Sequence, residues 1–124
     1  MGDSEIRIAV VRDRPDVGVA MVAGPLDARI VGKLEARLTS TPRLRIRTLI
    51  LDLDQVRYIN SMGMTYLVQL SDRLEALGGE LHLANPQPKV KLLLEMMGLT
   101  AVFKVHKSVQ AALRTTRPKT SSVR

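Results

Sequence analysis

Along residues 5–11, Ile6, Ile8 and Val10 alternate with Glu5, Arg7 and Ala9, the period of two expected for a strand with one solvated side. Arg12-Asp13-Arg14-Pro15-Asp16 is turn chemistry, and Val17 to Val22 predicts a second strand returning as a hairpin. Gly24-Pro25 is read as the break that ends it. Asp27 then stands where a helix N-cap belongs, ahead of Ile30, Val31, Leu34 and Leu38 on one helical face, with the helix closing before Thr41-Pro42. The apolar run Leu49-Ile50-Leu51-Asp52-Leu53 has no alternation, so it predicts a central parallel strand covered on both faces. A tight turn follows, and from Ser61 the period becomes helical, with Leu67, Leu70, Leu74 and Leu77 on one stripe stopped by Gly78-Gly79.

Glu80 to Ala84 predicts a strand with Leu81 and Leu83 inward, and Asn85-Pro86-Gln87-Pro88 a loop. Val90, Leu93, Leu94 and Met97 predict the buried stripe of a third helix ending at Gly98. A short strand over Val102 to Val105 and a helix capped by Ser108, running to about Leu113, complete the pattern. The order is ββαβαβαβα. It implies one α/β domain over residues 1–113, a mixed sheet with right-handed crossovers and helices packed on it, followed by a basic tail at 114–124 with no apolar period.

Composition narrows this picture without redirecting it. The 124 residues suffice for a core, and the absence of cysteine excludes disulfides, thiolate metal sites and a Cys nucleophile. With 45% hydrophobic residues but 2% aromatic, that core is aliphatic. No apolar segment approaches the roughly 20 residues that cross a bilayer, and Met-Gly-Asp-Ser-Glu lacks a signal pattern, which implies an intracellular, cytoplasmic domain. The net charge of +7 invites a nucleic-acid or anionic-membrane reading. However, Arg114, Arg117, Lys119 and Arg124 lie in the tail, Arg43, Arg45 and Arg47 sit in one loop, and only Tyr58, Tyr66 and Phe103 offer stacking surfaces. Direct nucleic-acid binding is not expected.

Ser61, at or next to a helix N-terminus, draws attention first, and its ordinary role there is capping. A nucleophile elbow needs small residues in the pattern G-x-S-x-G, but Ile59 occupies the first glycine position and only Gly63 fits. The two histidines, His82 in mid-strand and His106 at a strand end, read as isolated packing or surface residues. Gly78-Gly79 ends a helix, which excludes a P-loop, and Asp52 with Asp54 reads as strand-end solvation and turn capping in preference to a Mg²⁺ site. No self-contained active site, cofactor or metal site is expected.

The run from Leu49 through Asp54-Gln55-Val56-Arg57-Tyr58-Ile59-Asn60-Ser61-Met62-Gly63 resembles the signature of STAS domains, in particular bacterial anti-sigma factor antagonists. In that signature a buried strand ending in Asp-Leu leads through an aromatic and an aliphatic residue to Asp-Ser-Ser-Gly. Gly24-Pro25-Leu26-Asp27, Gly78-Gly79-Glu80-Leu81, Asn85 through Val90 and Met97-Gly98-Leu99 add to the resemblance, which spans about residues 5–113. Asn60 stands in place of the family's aspartate and Met62 in place of its second serine. The resemblance implies a binding switch. The unphosphorylated domain would hold an anti-sigma factor that is also a serine kinase of the histidine-kinase-like ATPase class. Phosphorylation of Ser61 would release it, and a metal-dependent serine phosphatase would reset the site. The implied contact surface is Asp27, Asn60, Ser61, Met62, Gly63 and Met64. Two other readings stand beside it: an unphosphorylated scaffold subunit of a membrane lipid transporter, and an anionic-surface or nucleic-acid binder acting through the tail.

Overall fold

The computed structural model describes residues 6–40 and 45–116, so the basic tail from Arg117 onward and Arg43 in the arginine loop lie outside the described residues. The elements are β1 (Ile6–Val11), β2 (Arg14–Leu26), α1 (Ala28–Ser40), β3 (Thr48–Ile59), α2 (Ser61–Ala76), β4 (Leu81–Ala84), α3 (Pro88–Met96), β5 (Lys104–His106) and α4 (Val109–Thr115). The order is the expected one. One five-stranded sheet runs β1-β2-β3-β4-β5, with β1 antiparallel to β2 and every later pair parallel.

Each parallel step needs a crossover helix. The helices α1, α2 and α3 pack on the same face, where Leu34, Leu67, Leu70, Val90 and Leu94 meet Ala20, Val22, Leu49, Leu51 and Leu83. Among the described residues the other face carries only α4, whose Ala112 closes a small cluster with Val17, Ile50 and Ala84. This two-sided cover explains the unbroken apolar run. In β3, Leu49, Leu51 and Leu53 point to the three-helix face and Ile50 to α4, and all four are fully buried.

Several boundaries differ from the sequence reading, each for a non-local reason. Strand β2 does not stop at Gly24-Pro25. It continues to Leu26, with Gly24 at a φ of +95° and register shifts on either side, because among the described residues its partner past Val22 is β3 and a proline is tolerated at such an irregularity. Strand β3 likewise has no turn after Leu53. It follows β2 to Ile59, burying Val56 and Ile59, and the Asp52 carboxylate accepts from the Asp54 backbone N–H at 3.1 Å inside the strand instead of capping its end.

Of the two predicted helical stripes, Leu77 and Met97 are both 56% exposed, because each is the C-cap residue where its helix has already ended. The last strand runs from Lys104 to His106, because its expected start, Val102, is the C-cap of a 3-10 turn over Leu99–Ala101. Finally, α4 extends past the expected end near Leu113 to Thr115, followed by a buried Thr116 whose hydroxyl accepts from the Arg14 guanidinium at 3.1 Å.

Leu51 sits in the middle of this arrangement, fully buried between α2-side packing and both neighbouring strands. Leu51→Ala should cost about 3 kcal/mol in urea denaturation with the slope unchanged, the value typical of a cavity in a site that cannot collapse.

Candidate functional site

The paired strands β2 and β3 end side by side, and each hands its chain straight to a helix. Leu26 pairs with Ile59, Asp27 precedes α1 and Asn60 precedes α2. The Asp27 carboxylate accepts from the Ile30 backbone N–H at 3.0 Å, capping α1 as its residue type predicts. For α2 the structure corrects the expectation. The cap is Asn60, in an extended conformation, whose Oδ1 accepts from the Gly63 N–H at 2.7 Å, and Ser61 is the first helical residue. Ser61 is exposed and the first turn of α2 carries no acidic residue, so its hydroxyl faces solvent beside the partly unpaired N–H groups of a helix start.

The two helix starts are held together by Gly63. A methyl group there would overlap the Leu26 carbonyl oxygen, and the Asn60 N–H also reaches that oxygen at 3.4 Å. Glycine is required for this close approach, not for an unusual φ.

The structure brings together Asp27, Asn60, Ser61 and Met62, which are all at least partly accessible, with Met62 51% exposed. It does not present Gly63 or Met64. Both are buried, and Met64 belongs to the three-helix core, so they space and anchor the site. A helix with 3.6 residues per turn cannot show four consecutive residues on one side. The surface passes instead from Ser61 to Thr65, one turn on and exposed, whose hydroxyl bonds back to the Ser61 carbonyl at 3.1 Å. Tyr58, 50% exposed at the end of β3, extends it. Thr65 could have been found from the i, i+4 spacing alone. Tyr58 could not, because its exposure depends on where the β2–β3 pairing ends.

Neither histidine serves Ser61. Both lie on the sheet face that carries α4, opposite the face on which α2 packs, and they are not isolated: His82 Nδ1 and His106 Nε2 are 2.8 Å apart. His82 Nε2 and Glu80 Oε1 are 2.8 Å apart, and Lys104 Nζ donates to Glu80 Oε2 at 2.8 Å.

A family model described as the STAS domain matches residues 9–112. The chain belongs to the STAS domain family. This STAS domain is 30% identical over 94 residues to BtrV of Bordetella bronchiseptica, whose name assigns it provisionally as an anti-sigma factor antagonist; the match covers 76% of this chain and 81% of BtrV. Its fold is similar to that of Thermotoga maritima TM1081, with a TM-score of 0.78 at 19% identity over 91% of this chain and 95% of that one. It is also similar to the antagonist SpoIIAA. The unphosphorylated form gives a TM-score of 0.74 at 22% identity, covering 90% of this chain and 96% of SpoIIAA. The phosphorylated form, from Bacillus, gives 0.67 at 20% identity, covering 90% and 99%. The anti-sigma factor antagonists are thus the group within the family to which this chain is homologous.

If Asn60 is the cap and Ser61 is not, the two positions separate energetically. Asn60→Ala should lower stability by about 1 kcal/mol, whereas Ser61→Ala should stay within about 0.5 kcal/mol of wild type, both read by chemical denaturation.

Proposed function

We propose that this STAS domain is a partner-switching anti-sigma factor antagonist controlled at Ser61. Unphosphorylated, the surface of Asp27, Asn60, Ser61, Met62 and Thr65 holds an anti-sigma factor of the histidine-kinase-like ATPase class. That partner, acting as a serine kinase, transfers the γ-phosphoryl group of ATP to the Ser61 hydroxyl oxygen and is released, and a metal-dependent serine phosphatase restores the hydroxyl.

The observation that carries this reading is the division of labour at the start of α2: Asn60 supplies the cap, leaving an exposed Ser61 hydroxyl with no capping duty. A phosphoserine brings roughly −1.5 to −2 charge at neutral pH. At the first residue of a helix that charge is favoured by the macrodipole and the free N–H groups, so the fold tolerates it. At a contact surface the same charge must be desolvated or repelled, so binding does not. Met62 beside it adds a flexible apolar contact suited to a surface that binds and releases. The homology to antagonists and the existence of SpoIIAA structures in both phosphorylation states support the same reading.

The test is affinity for the cognate anti-sigma factor, measured by calorimetry on purified proteins. Ser61→Ala should bind within threefold of wild type, and Ser61→Glu should bind at least tenfold more weakly while unfolding at the same urea concentration. Equal affinities for the two variants would reject the switch.

A further inference from the structure

The three helices that share one face of the sheet differ in what they turn to solvent. Past its first turn α2 presents Thr65, Gln69, Asp72 and Glu75, and α1 presents Arg29, Lys33 and Arg37, the polar outer stripe expected of a helix whose other side is buried. Helix α3 breaks that rule. Val90 and Leu94 are buried against the core, yet on the opposite side Leu92 is 54% and Met96 72% exposed. Met97 and Val102, both more than half exposed, continue the apolar surface where the 3-10 turn touches the end of the helix. Four of the nine large hydrophobic residues exposed among the described residues therefore fall between positions 92 and 102, a concentration that marks a contact surface.

The charges around this ridge indicate what covers it. With 3.6 residues per turn, Leu92 lies on the crest of α3 and Lys89 shares one flank with Met96. Lys91 and Glu95 lie on the other flank, where both line a cleft of about 380 Å³ with Val105 and His106 of β5. They are one turn apart with the lysine first, the less favourable order for a pair within one helix, and among the described residues neither makes an ion pair. An anionic membrane would be opposed by Glu95, and a partner of one uniform charge would leave either Lys91 or Glu95 facing its own sign. A second copy of the same surface satisfies both.

We propose that α3 pairs with α3 of a second copy, antiparallel, about a two-fold axis beside Leu92. A two-fold contact sets a patch against itself, and in the antiparallel arrangement each flank faces the same flank of the other copy. Leu92 then meets Leu92. At a rise of 1.5 Å per residue, Glu95 lies about 4.5 Å past the axis and the second copy's Lys91 about 1.5 Å past it on the same side. That offset is within reach of a lysine side chain, so two bridges between Lys91 and Glu95 cross the contact. On the other flank the second copy's Lys89 comes alongside Met96, its aliphatic stem covering the thioether while the ammonium stays in water. A parallel pairing would instead set Lys91 near Lys89 and leave Glu95 against Met96. The contact uses no residue of the Ser61 surface.

Sedimentation velocity of the full chain from about 5 µM to about 500 µM, a range suited to a small interface, tests the pairing. The weight-average mass of the wild type should rise from 13.7 kDa toward twice that value. Lys91→Glu and Glu95→Lys each set like charges against each other across the axis. Either alone should weaken association at least tenfold, with a urea midpoint close to that of wild type because both side chains are exposed. Mixed in equal amounts the two variants are complementary, and association should return to within threefold of wild type. Leu92→Asp should abolish it. A wild type that stays monomeric throughout would leave this face to a different partner and overturn the proposal. Association that survives in both single variants, a mixture that stays monomeric, or Leu92→Asp associating as wild type does would overturn it equally.

Discussion

Everything at the candidate site depends on the length of one parallel pairing. The strands β2 and β3 run together from Val17 and Thr48 to Leu26 and Ile59, while, among the described residues, β4 accompanies β3 only from Leu49 to Asp52 and β1 accompanies β2 only up to Val22. The pair therefore projects past the rest of the sheet and delivers two chains to the same end, where each begins a helix. Parallel strands with right-handed crossovers necessarily place their helix N-termini together at the carboxyl end of the sheet. What is particular here is how tightly the two starts are drawn, with the first turn of α2 against the Leu26 carbonyl and room there only for glycine.

That geometry gives the accessible residues distinct jobs. Asp27 and Asn60 satisfy helix amides, Gly63 and Met64 fix the distance of α2 from the sheet, and Ser61, Met62 and Thr65 remain for contact. In the proposed switch, a phosphoryl group at Ser61 changes what the surface binds without drawing on the interactions that hold the helix. The opposite face of the sheet has a different construction. Among the described residues one short helix packs on it over a small apolar cluster, and Glu80, His82 and His106 are hydrogen-bonded to one another on that face.

The sequence made legible those features whose cause is local. The order of elements, the doubly covered run Leu49 to Leu53, the caps at Asp27 and Ser108 and the helix stop at Gly78, with a φ of +87°, all follow from residues within a few positions of one another. The features it concealed have distant causes. The polar residues Asp54, Gln55 and Arg57 read as a turn because the partner that keeps them in a strand is β2, some thirty residues earlier. Asn60 and Ser61 are both good caps one position apart, and the choice rests on which of them leaves the extended region, with Asn60 at a ψ of 172°. The two histidines looked isolated because 24 residues separate them, a gap closed by α3 and by the pairing of β4 with β5.

The departure of this chain from the resembling motif at position 60 can be argued from the same geometry. Asparagine offers the Gly63 amide the same carbonyl-type acceptor that an aspartate would, at 2.7 Å, so the helix start is built identically. What changes is charge. With an aspartate cap, the positive end of α2 would already be offset by a carboxylate one residue from the serine, and a phosphate there would meet a like charge. With Asn60 and no acidic residue in the first turn, the positive end of the α2 dipole is not offset by a carboxylate at the cap. The unmodified surface is then less negative than an aspartate-capped one, and in the proposed switch the phosphoryl group would be its added charge beside Asp27. The substitution thus keeps the architecture of the helix start and, in the switch proposed above, takes the cap's charge out of both states.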